Sequence, residues 1–257
     1  MYEAMMIAAT GLQNQQRRLD TIANNVANVN TTSYKSARLD FKDALYTAGI
    51  VPALPRTPEG NQQKGHGLMV AAITKDFSTG IIERTDRQLD VAIEGEGFFA
   101  LENVDGETIY TRNGCFNISV EDDGIYLVNG NGYYVQNAGG TRIQIPTSAE
   151  SVSVGVDGTI IFTTGNTESS AALGIYTFRN ITGLASAGEG NYSESIASGE
   201  RLPADGAVVR QGVIEGSNVD LAEEMTRMIR TQRVFQLASR ALTTADDMEG
   251  IANNMRR

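Results

Sequence analysis

Apolar residues near both ends of the chain recur every seven positions, whereas those in the middle alternate with polar ones. At the start, Met5, Leu12, Leu19 and Val26 are seven apart, and Ala8, Ala9, Ile22 and Val29 lie beside them. This is close to the a/d stripe of a helix that packs against another helix. Gln15 and Gln16 interrupt the stripe, and Gly11 costs about 1 kcal/mol relative to alanine in a helix interior. The run closes at NVNTTSY, because Asn, Thr and Ser side chains compete for backbone hydrogen bonds. Toward the end, Leu221, Met228, Phe235 and Leu242 are again seven apart, and Met225, Ala238, Ala245, Ala252 and Met255 are expected on the same face. Ser217 and Asp220 have the spacing of a capping box. Asp220, Glu223 and Glu224 open the run and Arg256 and Arg257 close it, which suits the helix dipole. Glu223 and Arg227 form an i,i+4 pair. As one helix, Val219 to Arg257 would be ~58 Å long. A helix of that length with a narrow stripe belongs in a coiled coil, and the first helix is its natural partner.

Between the ends the texture changes. Residues 46–68 hold three of the five prolines and read as a long extended connection. Three prolines remove backbone donors and stiffen such a segment into a strap. From Met69 onward come short apolar runs such as GFFAL, TIYTR, CFNISV, GIYLV, GTIIF and LGIYTF. Asp-Gly turns at 105, 123, 157 and 205 and Asn-Gly turns at 113 and 129 separate them. That is hairpin chemistry at hairpin spacing. The expected fold is therefore α+β: long N- and C-terminal helices packed as a coiled-coil-like pair, with a central antiparallel all-β domain. The expected boundaries are 1–35 with 216–257 for the helices, 36–68 for the connection and 69–215 for the β domain.

The tetrapeptide IANN occurs at Ile22–Asn25 and again at Ile251–Asn254. Asparagine is a poor helix former, so Asn24, Asn25, Asn28, Asn253 and Asn254 on apolar helical faces need a reason. A buried Asn in a coiled coil fixes register and partner number at some cost in stability; exposure or fraying of the helix ends is the other reading.

Charge sharpens the division. Residues 1–48 carry five basic and four acidic side chains and residues 216–257 carry six of each, whereas 49–215 carry ten against twenty-one. Nearly neutral ends can pack beside copies of themselves, and the acidic middle has the character of an exposed surface. The overall charge of −10 argues against nonspecific binding to nucleic acid or anionic lipid. The start, MYEAMMIAATGLQNQQRRLD, lacks a basic region ahead of an apolar run, so no cleavable signal peptide is expected. No apolar stretch approaches 18 residues, so no membrane insertion is expected.

Candidate chemistry is sparse. Gly95-Glu96-Gly97-Phe98-Phe99-Ala100 fits a dinucleotide fingerprint, but the motif must lead into a helix. Here it leads into a strand, and a glycine bend is expected instead. His66 stands in Gly-His-Gly, and Cys115 is the single cysteine, so neither an intrachain disulfide nor a zinc cluster is expected. Glu121-Asp122-Asp123-Gly124 lacks the alternating oxygen ligands of a calcium loop and reads as an acidic hairpin tip. No catalytic site, metal or cofactor is expected.

TGLQNQQRRLDTIANNVANVNTTSYK, with its Asn-rich helix end, polar turn and Tyr34-Lys35 pair, resembles the signature of the bacterial flagellar axial proteins: rod, hook and hook-associated subunits. The stretches ARLDFKDALY, LDVAIEGEGFFAL, YTRNGCFNI and EGSNVDLAEEMTRMIRTQRVFQLASRALTTADDM are similar to later parts of that family in the same order. Size and closing helix lie nearest its distal-rod branch, with proximal rod and hook subunits as neighbours. The resemblance implies a non-enzymatic structural subunit that polymerises as a helical assembly, with an inner tube of terminal helices and an outer β layer. It implies as partners other copies, other rod and hook proteins, the flagellar export apparatus and rings around the rod. It also implies a place in the basal body reached across the inner membrane without a leader. The residues expected at subunit interfaces are Leu12, Leu19, Ile22, Asn24, Asn25, Val26, Leu221, Met225, Met228, Phe235, Leu242, Met248 and Met255. The alternatives are a secreted β-rich adhesin on a helical stalk and an enzyme with carboxylate chemistry in the β domain.

Overall fold

A computed structural model describes residues 2–44, 46–48, 63–65, 67–147, 149–165, 167–204 and 206–255. His66 and most of the proline-rich connection, residues 49–62, lie outside the described residues. The chain divides into two units. One comprises 1–27, 37–75 and 220–257. The other comprises 28–36 and 76–219. The chain passes from one to the other four times.

In the first unit, helix α1 (Tyr2–Ala27) packs on helix α2 (Leu221–Asn254). At 26 and 34 residues they are about 39 and 51 Å long. The N-cap of α2 is Asp220, whose Oδ1 accepts from the backbone N–H of Ala222 (2.8 Å) and Glu223 (3.1 Å). Ser217, expected as the start of a capping box, instead accepts from the N–H of Val219. It is too far back to reach the first turn of α2. The half-buried apolar row on α2 is Met228, Phe235, Ala238, Leu242 and Ala245, with Glu224 and Thr231 buried in line with it. The spacing is four and three residues in alternation, the seam of one helix on another. Met225 and Met255, expected on that face, are exposed. Neither keeps the four–three spacing: Met225 follows Glu224 by one position, about 100° around the helix, and Met255 lies ten positions past Ala245.

The same unit contains an antiparallel pair, Ala37–Asp43 with Leu68–Lys75, and a short pair, Tyr46–Ala48 with Gln63–Gly65. The segment 36–68 thus carries strands on both sides of its prolines. Asn25 is buried, and its amide pairs both ways with the backbone of Ala37: Nδ2 donates to the carbonyl and Oδ1 accepts from the N–H, each at 2.9 Å. This Asn therefore fixes where the strand after α1 begins. Asn24, next to it, is exposed.

The second unit is antiparallel β. Its main sheet has ten strands among the described residues. Strand Phe98–Glu102 runs through its centre and pairs with Thr108–Thr111, Tyr134–Val135 and Ile175–Phe178. Phe99 and Leu101 enter one core cluster with Val91, Ile93, Phe116 and Leu127. Phe98 and Ala100 enter another with Tyr110, Phe178 and Tyr192. Successive side chains of a strand point to opposite faces, so the unbroken run GFFAL marks a strand covered on both sides.

Replacing Asn25 by alanine removes two hydrogen bonds and leaves the half-buried N–H and carbonyl of Ala37 without them. Asn25→Ala should therefore lower stability by about 2–3 kcal/mol, read as a fall in the urea midpoint of the helical circular-dichroism signal. Asn24→Ala should change it by less than about 0.5 kcal/mol.

Candidate functional site

Three charged side chains meet inside the β unit, and each comes from a segment that resembles the flagellar axial family. Lys35 follows the turn that ends the N-terminal run, Arg112 lies in YTRNG, and Glu215 lies in VIEGSN. All three are buried. Lys35 Nζ donates to Glu215 Oε1 (2.7 Å) and to the Ser78 carbonyl (2.6 Å). Arg112 Nε donates to Glu215 Oε2 (3.0 Å), and its Nη1 donates to the carbonyls of Gly95 (2.7 Å) and Gly97 (2.8 Å). The N–H of Gly80 donates to Glu215 Oε1 (2.9 Å). The carboxylate therefore sits between two cations and a backbone donor, the condition under which a buried charge is tolerated.

Local backbone geometry aims these groups. Ser33 has φ +56°, a left-handed conformation that costs a non-glycine residue about 1–3 kcal/mol. Its N–H donates to the Glu215 carbonyl (2.8 Å) and its Oγ to the Arg112 carbonyl (3.0 Å), which hold it there. Gly95 and Gly97 have φ +108° and +155°, so the glycine bend expected from the sequence turns two carbonyls onto the guanidinium. Gly80 has no room for a side chain: a Cβ there would lie 2.2 Å from the Gly216 carbonyl oxygen.

Asn218 completes the arrangement. Its Oδ1 accepts from the N–H of Ser36 (2.8 Å), its Nδ2 donates to the Asp76 carbonyl (2.8 Å), and its own N–H donates to the Tyr34 carbonyl (3.3 Å). The N–H of Asp76 donates to the Ser36 carbonyl (2.9 Å). Ser36, Asp76 and Val219 are the last residues of the β unit at three of the four chain passages. One side chain thus ties together the backbone leading to all three.

Burial pushes the Glu215 carboxyl up, but the charges of Arg112 and Lys35 and their hydrogen bonds outweigh it and leave its pKa below 4.5. For Lys35 burial wins over the attraction of Glu215, and its pKa falls below 10.5. Burial also raises the pKa of the half-buried Cys115 thiol, against its use as a nucleophile. Among the described residues, no group of three or more His, Cys, Asp and Glu side chains is placed to hold a metal ion. Among the described residues, no helix is long and apolar enough to cross a membrane.

The expected interface residues fall into distinct settings. Ile22 and Asn25 are buried; Leu12, Leu19, Val26, Met228, Phe235 and Leu242 are half-buried; Asn24, Leu221, Met225, Met248 and Met255 are exposed. Sequence reasoning missed the charged cluster and Asn218. The available signal was a Lys, an Arg and a Glu inside short motifs otherwise made of small, polar or apolar residues.

Paired terminal helices in one unit and an antiparallel β unit inserted between them in the chain are the architecture expected of a flagellar axial subunit, and comparison with known proteins agrees. Residues 5–35 match the family described as flagella basal body rod protein. Residues 92–162 match the flagellar hook protein FlgE/F/G D1 domain, and residues 210–255 the flagellar basal body rod FlgEFG protein C-terminal region. The chain is 40% identical to the flagellar basal-body rod protein FlgG of Bacillus subtilis, over all of both chains. It is 38% identical to FlgG of Agrobacterium fabrum, over 97% of this chain and 98% of that one. It is 32% identical to the flagellar hook-basal body complex protein FlhP of Bacillus subtilis, over all of both chains. The chain belongs to the FlgG family of flagellar basal-body rod proteins.

Glu215→Gln strands two buried cations and should cost about 3–5 kcal/mol. Lys35→Met leaves Arg112 to balance Glu215 and should cost less than half as much, as measured by urea denaturation. The folded-state pKa of Glu215 is depressed, so its contribution is complete above 4.5 and is lost as pH falls through the folded value. The thermal midpoint of the wild-type chain should therefore drop below pH 4.5, and Glu215→Gln should flatten that dependence.

Proposed function

We infer that this chain is a non-enzymatic subunit of the distal flagellar rod, which polymerises into a tube that carries rotation from motor to hook. In this reading the α1–α2 pairs of many copies form the inner wall and the β units form the outer layer. Copies travel through the flagellar export apparatus, assemble onto rod subunits and carry the hook, and rings surround the finished shaft. Of the interface residues named above, the exposed ones, Asn24, Leu221, Met225, Met248 and Met255, are where copies meet in this reading.

The observation that carries the reading is apolar surface left over on α2. Leu221, Met225, Met248 and Met255 are between 43 and 78% exposed, although the helix already has a partner along another face. Large apolar side chains left exposed in this way on a folded chain mark a contact with other molecules. Similarity to FlhP supports a second reading, a subunit elsewhere in the hook–basal body complex. The position of the defect in a deletion strain separates the two. Basal bodies lacking this chain should show rods truncated before the hook under electron microscopy. Full-length rods with a defect elsewhere would favour the second reading.

Met225→Asp places a carboxylate on the exposed face without touching the α1 seam. It should leave the circular-dichroism spectrum unchanged. At about 3 kcal/mol for an unpaired buried carboxylate, it should reduce incorporation into rods by roughly a hundredfold. Normal rods and motility in this strain would remove Met225 from the interface.

A further inference from the structure

We propose that Asn131 is a site of spontaneous deamidation, and that its conversion to aspartate or isoaspartate releases a clasp between two hairpin tips of the β unit.

An asparagine followed by glycine loses its side-chain nitrogen without an enzyme. The glycine backbone nitrogen gives up its proton and attacks the side-chain carbonyl carbon. The amide nitrogen takes a proton and leaves as ammonia. Water then opens the five-membered imide at either carbonyl, which gives aspartate or isoaspartate. The step needs a side chain that can swing toward its own backbone, a glycine nitrogen that can approach it, and water.

Asn-Gly occurs at 113, 129 and 131, and the fold gives the three sites different freedom. Asn113 is half-buried, and its Oδ1 accepts from the N–H of Cys115 (3.1 Å). The Gly114 carbonyl accepts from the N–H of Val91 (3.0 Å), and a Cβ on Gly114 would lie 1.8 Å from the Val91 carbonyl oxygen. That backbone has no room to turn. Asn129 is buried, and its Oδ1 accepts from the N–H of Asn131 and of Tyr133, each at 2.9 Å. Closing the imide there would break both bonds. Asn131 and Gly132 are exposed at the tip of the turn. Gly132 has φ +84°, and its N–H donates to the Asn129 carbonyl (3.1 Å). This bond closes a turn outside the strand ladders, so water can replace it without opening the sheet.

The amide that would be lost holds a second tip. Asn131 Nδ2 donates to Glu189 Oε2 (2.6 Å). The bond joins the turn between Gly124–Val128 and Tyr134–Val135 to the turn between Ala185–Gly188 and Asn191–Ser193. Glu189 has φ +54°, between Gly188 at +88° and Gly190 at +77°. A non-glycine residue in that left-handed conformation is strained and stays there only while its surroundings hold it. Deamidation replaces the donor by a carboxylate facing a carboxylate. The hydrogen bond is lost, like charges repel, and Glu189 is released from its strained conformation. The change runs one way, so the amount of product records how long the folded chain has existed.

The test incubates the full chain in mildly alkaline buffer and follows the three Asn-Gly peptides by mass spectrometry, with fragmentation that separates aspartate from isoaspartate. In the folded chain Asn131 should convert at least about tenfold faster than Asn113 and Asn129, because each of those must first give up hydrogen bonds. In urea the three should convert at similar rates, since the fold no longer protects two of them. Equal rates in the folded chain, or Asn113 or Asn129 in the lead, would overturn the site. The clasp is tested with Asn131→Asp, which carries the product charge from the start. Amide hydrogen exchange at Gly188–Asn191 should then be at least about threefold faster than in the wild-type chain. Adding Glu189→Gln exchanges donor and acceptor and should restore the slower rate. Exchange that Asn131→Asp leaves unchanged, or that the second substitution fails to slow, would overturn the clasp.

Discussion

The β unit depends on one carboxylate. Glu215 is taken out of water between Lys35 and Arg112, and removing it would leave two cations in a space with no solvent to screen them. Segments far apart in the chain must be in place for the charges to cancel: the turn after α1, the YTRNG hairpin and the strand before α2. The left-handed Ser33, the glycine carbonyls on Arg112 and the close approach of Gly80 to Gly216 all serve that geometry. A hydrophobic cluster tolerates some repacking. A buried ionic cluster whose donors and acceptors are matched tolerates little.

The same neighbourhood governs the chain passages. Asn218 binds the backbone of Tyr34, Ser36 and Asp76, so the β-unit ends of these passages are held together. Asn25 plays the corresponding part inside the helical unit, pinning Ala37. Two asparagines thus set where strands and helices begin, each by pairing with backbone that no ladder or helix would otherwise satisfy.

The terminal helices were legible because their seven-residue spacing is unusual and a long helix repeats it many times. GFFAL was legible as a strand, and its lack of alternation marks a strand with both faces covered. The faces of α2 were not separable by counting. Leu221 keeps the seven-residue count of Met228, Phe235 and Leu242 yet is exposed, and Met225 and Met255 lie off the half-buried row. The ionic cluster was hidden for a different reason. Charged residues are rarely buried unless paired, and pairing across most of the chain leaves no local pattern. Asn25 stood out as an anomaly in a helix, but its partner Ala37 could not be read from spacing.

The separation of the charged partners bears on when the protein acquires its shape. Lys35 and Glu215 are 180 residues apart, and Arg112 and Glu215 are 103 apart. A ribosome makes the two cations long before their counter-ion. Until Glu215 emerges, closing the β unit would bury two like charges without relief, and the contacts that reward closure are distant ones whose loop entropy must be met first. Closure of the β unit around this cluster therefore has to wait until Glu215 has been made. A nascent chain with so late a trigger would stay open for most of its synthesis.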